Sequence, residues 1–188
     1  VSIDACEFWL GNSHAPGFYS WVFPRANGIT AGTGGHKTTG ARMLLDNFLK
    51  RRGLPPSSAI RGYRIPLWGK DVFRRGRVLL VGDSAGQVMP FTFEGIYYAM
   101  RSGRFAAEAI TKGRPGDYER LWKDRFLTRF TITKGLWRYF LRDEASMEKF
   151  VSLCERPSVQ EICMEIWIKK KSDSASLISF LNIFRKFI

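Results

Sequence analysis

Histidine is nearly missing from this 188-residue sequence: His14 and His36 are the only two. An α/β-hydrolase places its catalytic histidine after the nucleophile. Both histidines here precede Gly82-Asp83-Ser84-Ala85-Gly86, the one stretch that fits G-x-S-x-G. Cysteine is scarce as well. Cys6, Cys154 and Cys163 are odd in number and have no C-x-x-C spacing. They supply neither a disulfide framework nor, with two scattered histidines, a structural zinc site, and reduced thiols in an intracellular protein are expected. No run of about 18 apolar residues occurs, so no membrane-spanning helix is predicted. No stretch reads as a secretory signal. Also missing is a G-x-G-x-x-G turn between a strand and a helix, the usual cradle for a dinucleotide pyrophosphate.

Hydrophobic residues make up 45% and aromatics 14%, a globular composition large enough for one core with an appendage. The most informative stretch is residues 75–110. Val78-Leu79-Leu80-Val81 is a continuous apolar run, expected as a strand buried on both faces. Gly82 lets the chain turn, and Asp83 then sits at the carboxyl end of the strand, where open α/β sheets bind ligands. Ile96, Ala99, Met100, Gly103, Ala106, Ala107 and Ile110 recur at helical spacing and predict one packing face. Gly95 at the helix start leaves backbone N–H groups unobstructed, suited to a phosphate or another electron-rich group. The alternative is a nucleophile elbow at Ser84. Against it stand the lack of a downstream histidine, the absence of an HGGG-type oxyanion loop, and Pro90, which interrupts the helix an elbow launches at once.

A second motif lies upstream, Pro16-Gly17-Phe18-Tyr19-Ser20-Trp21-Val22-Phe23-Pro24. In a strand Tyr19, Trp21 and Phe23 share one face. They make either an ordinary sheet packing face or an apolar wall with two polar handles, apt for a long polyprenyl chain.

Together the two motifs resemble the geranylgeranyl reductase family, within the flavoproteins that also include aromatic hydroxylases. The second FAD-binding motif of that group matches at Gly82, Asp83, Ala85, Gly86, Pro90, Glu94, Gly95, Ile96, Ala99, Gly103, Ala106 and Ala107. It departs at Phe93, where relatives usually carry glycine. The signature P-x-x-Y-x-W-x-F-P matches at Pro16, Tyr19, Trp21, Phe23 and Pro24. The resemblance implies an FAD-dependent oxidoreductase that saturates double bonds of a geranylgeranyl or other polyprenyl chain in lipid or chlorophyll-type precursors. Electrons would come from NAD(P)H or a ferredoxin. It further implies cofactor binding by Gly82, Asp83, Ala85, Gly86, Pro90, Gly95 and Ile96, and substrate binding by Tyr19, Trp21, Phe23 and Pro24. Asp83 would hold the ribityl chain, and the Gly95 and Ile96 N–H groups would face flavin N1 and O2. No catalytic proton donor is identified. Because the pyrophosphate turn is missing, the chain is expected to be the C-terminal portion of a larger flavoprotein, or an inactive remnant of one. Alone it would bind FAD weakly or not at all.

The expected fold is α+β: the C-terminal part of a Rossmann-like FAD-binding fold, with an antiparallel substrate-domain sheet and a helical C-terminal region. The corresponding divisions are residues 1–68, 69–112 and 113–188. Residues 5–35 suggest paired strands, with Gly28 to Gly35 as the return strand. Thr38 to Arg52 reads as a helix with Ala41, Leu44, Leu45 and Phe48 on one face, and Arg61 to Trp68 as a strand. Helices are expected over Tyr118–Arg142, Ser146–Glu155, Ser158–Lys170 and Ser174–Phe187, with Ser158 capping the third.

Thirty basic residues against 17 acidic ones give a net charge of +13. Lys50-Arg51-Arg52, Arg74-Arg75-Gly76-Arg77 and Lys169-Lys170-Lys171 are clusters able to meet phosphates. No nucleic-acid-binding module accompanies them, and no nucleic-acid partner is expected. A membrane surface serves as well, since anionic lipids attract basic segments. The last stretch groups Leu177, Phe180, Leu181 and Phe184 on one face with Ile188 a turn beyond, fitting either an interfacial helix or a core-packed one. The expected location is cytoplasmic, peripheral on the inner face of the membrane.

Overall fold

Residues 3–35, 40–56, 59–69, 73–170 and 182 are described by the computed structural model. By its internal contacts the chain forms two units, Val1–Arg61 with Trp137–Pro157, and Gly62–Leu136 with Ser158–Ile188.

In the first unit, period-two alternation builds an antiparallel three-stranded meander: β1 (Glu7–Trp9), β2 (Ser20–Arg25) and β3 (Gly28–Thr33). β2 is central, pairing Trp9 with Ser20 on one side and Thr33 with Ser20 on the other. Pro24 lies beyond Val22, the last residue that β1 pairs, so that edge of the strand is open, as a residue without an N–H requires. Helix α1 (Ala41–Arg52) lays Leu45, Phe48 and Leu49 against Val22 and Leu54, with Ile29 and Ala31 at the edge. The buried stripe thus uses Leu49 where the sequence suggested Ala41, which is exposed. Gly53 ends the helix in the left-handed conformation at φ 71°, and its N–H is satisfied by the Lys50 carbonyl. Helix α4 (Glu144–Cys154) begins at Asp143, whose carboxylate accepts the Ser146 N–H at 2.7 Å.

The second unit is built on aromatic rings. Helices α2 (Ile96–Thr111) and α3 (Asp117–Phe140) contribute Tyr98, Phe105, Tyr118, Trp122, Phe126 and Phe130 to one core, joined by Phe73 and Met89. Edge-to-face pairs recur, such as Tyr98–Phe130 at 4.9 Å and Trp122–Phe130 at 5.0 Å. Each fully buried large side chain contributes roughly 1.5–3 kcal/mol of transfer free energy. A two-stranded hairpin of β4 (Arg74–Arg75) and β5 (Val78–Leu79) precedes the Gly82–Ala85 turn. Helix α5 (Pro157–Cys163) continues into a π-helical turn at Met164–Ile168.

The architecture is mixed helix with small antiparallel sheets, and so α+β. Several expectations change. Residues 61–68 form no strand. Pro66 removes a donor there, and no neighbouring strand offers a ladder among the described residues. Val78–Val81 was expected to be buried on both faces, yet only Val78 and Leu79 are extended and paired, and Val78 is exposed. Both sheets are antiparallel among the described residues, so no parallel layer buries that run. On α2 the predicted packing face is largely the open one: Ile96 is 81% exposed, Met100 72% and Ile110 57%. The face that packs carries Tyr98, Ser102, Phe105, Ala106 and Ala109. Pro157 opens α5 as its first residue, so Ser158 is inside the helix and does not cap it. The Ser174–Phe187 helix, and with it the question of an interfacial helix, lies outside the described residues.

Candidate functional site

The turn at Gly82 to Gly86 is shaped by two glycines that other residues cannot replace cheaply. Gly82 has φ 58°, and a Cβ there would lie 2.7 Å from the Cβ of Ala99 on α2. Gly86 closes the 3₁₀ turn in the left-handed conformation at φ 64°, its N–H donating to the Asp83 carbonyl at 2.9 Å. Ala85 is buried beneath the turn. Asp83 stands exposed at its crest, and no side chain or N–H pairs with its carboxylate among the described residues.

Beside it lies the start of α2. A Cβ on Gly95 would sit 3.3 Å from Asp83 Oδ1, so glycine is what allows the carboxylate to rest against the helix end. Gly95 caps α2 without a side-chain hydrogen bond, and no acidic residue occupies the first turn. The first N–H groups of a helix have no intrahelical partners. Asp83 and the open end of α2 therefore share one small surface, able to accept hydrogen bonds from hydroxyls and to donate them to an electron-rich edge. Ile96, the first helical residue, points out at the same end. These are groups fitting a polyol attached to an electron-poor ring system, as in a flavin.

The loop between turn and helix is held from inside. Pro90 is buried, the Met89 N–H donates to the Glu94 carbonyl at 2.9 Å, and the Phe93 N–H donates to the Met89 carbonyl at 3.0 Å. Phe93 adopts φ 54° and Phe91 φ 78°, a region costly for aromatic residues. Phe93 keeps the left-handed turn available to glycine, with its ring turned inward and 8% exposed.

A buried network missed by the sequence reading fixes the same turn. The Gln87 side chain accepts the Gly82 N–H at 2.8 Å through Oε1 and donates from Nε2 to the Tyr118 hydroxyl at 2.9 Å. Tyr118 in turn donates to the Leu80 carbonyl at 2.9 Å. Burial pushes the Tyr118 phenol above its ordinary pKa, which keeps it a neutral donor. The partners lie 31 positions apart, so no local spacing announces them. Glu94 is gripped by Lys170, whose Nζ lies 2.6 Å from both carboxylate oxygens.

Ser84 has no nucleophilic poise. Its hydroxyl donates to the Val81 carbonyl at 2.8 Å and accepts the Val81 N–H at 3.2 Å. His14 belongs to the first unit, where its Nδ1 meets Ser20 Oγ at 2.7 Å. Burial, with a smaller contribution from the Arg51 charge, holds the His14 pKa below its ordinary value.

The aromatic row lies in the first unit. Tyr19, Trp21 and Phe23 share the face of β2 opposite buried Ser20 and Val22, so α1 and its core occupy the other side. Phe8 joins the row from β1, its ring 5.4 Å from Tyr19 and 5.5 Å from Phe23, and is 61% exposed. Trp21 lies against Gly32 on β3, where any side chain would collide with its ring. The result is a row of four rings in which Phe8 is exposed and Tyr19, Trp21 and Phe23 are half-buried, while α1 packs on the reverse of the sheet.

The basic clusters have mainly local partners. Lys50, Arg51 and Arg52 form the last turn of α1, where positive charge suits the helix dipole. Arg52 makes two bonds of 2.7 Å to the Glu7 carboxylate, which holds Glu7 down to about pKa 2. Lys169 pairs with Glu165 and Lys170 with Glu94. Arg74 and Arg75 remain exposed on the hairpin. No helix is long and apolar enough to cross a membrane, and no cluster of metal-ligating side chains occurs among the described residues.

Comparison with known proteins gives a consistent picture. Residues 1–61 match the family described as the geranylgeranyl reductase catalytic domain. The chain is 29% identical to a geranylgeranyl diphosphate reductase of Synechocystis sp., over 98% of its own length and 50% of the relative. It is 34% identical to one of Rhodobacter capsulatus, over 95% of its length and 48% of the relative. It is also 34% identical to a digeranylgeranylglycerophospholipid reductase of Methanothermobacter thermautotrophicus, over 73% of its length and 36% of the relative. The chain thus spans about half the length of the first two relatives.

Proposed function

The chain belongs to the geranylgeranyl reductase family, and from that premise we propose that it forms part of an FAD-dependent reductase that saturates carbon–carbon double bonds in a polyprenyl chain. The observation that carries this reading is the unpaired Asp83 carboxylate resting against Gly95 at the uncapped end of α2. FAD, once reduced by the electron donor, would supply the hydride for the double bond. Asp83 would hold the cofactor by accepting hydrogen bonds from its ribityl hydroxyls. The Gly95 and Ile96 N–H groups would hold the electron-rich edge of the flavin, a fixed stabilisation of negative charge needing no reorganisation. Gly82, Ala85, Gly86 and Pro90 give the turn its path. Tyr19, Trp21, Phe23 and Pro24 offer the apolar wall for the prenyl chain and keep water from it. NAD(P)H or a ferredoxin supplies the electrons, and contact with the membrane surface brings the lipid substrate within reach.

The reading is tested by flavin retention. The chain is co-expressed with the nucleotide-binding half that the family resemblance implies, and bound FAD is measured by absorbance. Loss of a charge-assisted hydrogen bond costs about 1.5–3 kcal/mol, or roughly 10–100-fold in affinity. Asp83→Ala should weaken FAD binding by that factor, and Ser84→Ala should not. Unchanged retention in Asp83→Ala removes the basis for the cradle.

A further inference from the structure

Among the described residues, the non-glycine positions with positive φ are Phe91, Phe93 and Lys170. All three belong to one pair of segments in the second unit. Phe91 and Phe93 lie in the loop before α2, and Lys170 follows the π-helical turn at Met164–Ile168. The segments touch. The ring centres of Phe91 and Trp167 are 6.0 Å apart, and Lys170 Nζ donates to both Glu94 carboxylate oxygens at 2.6 Å. Left-handed backbone is costly for residues with a Cβ and persists where the surroundings over-determine it, often at ligand sites. Single π-helical turns gather at such sites as well.

Lys170 is held from two directions. Besides its bonds to Glu94, its ammonium lies 5.1 Å from the Tyr97 ring centre and 5.9 Å from that of Tyr98. Both rings belong to the first turn of α2 and face the cation with their electron-rich surfaces. The Lys170 side chain is 19% exposed and that of Glu94 34%, so water screens this pair only in part.

Glu94 immediately precedes Gly95, the N-cap of α2. A carboxylate so placed has a second attraction, the free N–H groups and positive dipole end of the helix. Yet no side chain caps α2, and no acidic residue occupies its first turn. Both Glu94 oxygens are turned to Lys170 instead. Deprived of that partner, Glu94 is free to fold back and close the helix end.

We propose that Lys170 is a positioning residue of the candidate site: it keeps the Glu94 carboxylate off the Ile96 and Tyr97 N–H groups, leaving the start of α2 open to an electron-rich ligand. Lys170 acts through Glu94 and touches no ligand itself. The inference rests on the flavin reading above for the identity of that ligand. The competition between Lys170 and the helix end for Glu94 needs no cofactor.

The test compares wild type with Lys170→Met, Lys170→Arg and Glu94→Gln/Lys170→Met. Methionine keeps an aliphatic stem against the tyrosine rings, and a thermal melt checks that each variant folds. In the 188-residue chain without cofactor, hydrogen exchange of the Ile96 and Tyr97 amides is followed by NMR. Lys170→Met should slow it about two- to fivefold as Glu94 caps the helix. Loss of a merely structural contact would speed it. FAD retention, measured with the nucleotide-binding half co-expressed, should weaken about two- to tenfold in Lys170→Met, the worth of one charge at a helix start. Glu94→Gln/Lys170→Met should recover both readouts, and Lys170→Arg should stay near wild type. Unchanged or faster exchange in Lys170→Met overturns the inference, as does a defect that the added Glu94→Gln leaves in place. Such a result with FAD retention still sensitive to Asp83 overturns Lys170 positioning alone. Slowed exchange that Glu94→Gln reverses, with FAD retention indifferent to Asp83, upholds the positioning and overturns the flavin reading alone.

Discussion

Gln87→Ala isolates the polar clamp under the Gly82–Gly86 turn. Gln87 is 1% exposed and bridges Gly82 and Tyr118. Its removal leaves the buried Gly82 N–H without a partner, at about 1–3 kcal/mol. It also leaves space that the tight 3₁₀ turn fills only partly, so the total expected is roughly 2–4 kcal/mol. For a chain of this length that lowers Tm by about 5–15 °C. Tyr118→Phe removes the donor to the Leu80 carbonyl and the acceptor for Gln87 Nε2, at about 1–2 kcal/mol. Since both substitutions dismantle the same network, the double variant should be less destabilised than the sum by about 1 kcal/mol. Urea denaturation of the four proteins measures each difference. A Gln87→Ala variant within 0.5 kcal/mol of wild type, or strict additivity, refutes the claim that these residues act together to hold the turn.

Acid should destabilise the fold in two steps. His14 is held neutral in the fold, so the unfolded chain binds more protons as pH drops below its ordinary value near 6.5. Stability is therefore full above that pH and falls below it, and His14→Gln should flatten this limb in pH-dependent urea midpoints. Glu7, held at about 2 by Arg52, contributes stability present above its ordinary 4.5 and lost as pH falls from there toward 2. Glu7→Gln should remove that second limb. Phe93→Gly relieves about 1 kcal/mol of left-handed strain but deletes a buried ring worth about 3–5 kcal/mol. A net loss of roughly 2–4 kcal/mol in thermal denaturation is expected, and a stabilised variant contradicts the inward placement of the ring. Ser84→Ala should cost only about 1 kcal/mol, from its bonds to Val81. A fluorophosphonate probe should label neither protein, and labelling that depends on Ser84 would restore the hydrolase reading.

The sequence was most readable where one period dominated. Helical spacing located α1, α3 and α4 to within a few residues, and alternation put Trp21 and Phe23 on one face of β2, with Tyr19 just before its first residue. Helix α2 shows why the rest was harder. It carries two apolar stripes, and the aliphatic one from Ile96 to Ile110 was more conspicuous than the stripe of Tyr98, Ser102 and Phe105. The choice between them is made by the rings of Trp122, Phe126 and Phe130, which spacing within α2 does not reveal. Residues 61–68 contain apolar residues in strand-like order, but a strand also needs a neighbour. At the candidate site, glycine spacing pointed to Asp83 and Gly95. Gln87 and Tyr118, Glu7 and Arg52, and Glu94 and Lys170 meet only through the tertiary fold, across 31, 45 and 76 positions.

The most direct test of the account follows the prenyl chain itself. The chain joined with its implied nucleotide-binding half, loaded with FAD and given a chemical reductant, is incubated with geranylgeranyl diphosphate, and the product is analysed by mass spectrometry. The account predicts a product heavier by one hydrogen pair per saturated double bond, lost in Asp83→Ala and reduced in Trp21→Ala. A flavin-loaded protein that leaves every double bond intact, or one equally active with Asp83→Ala, contradicts it.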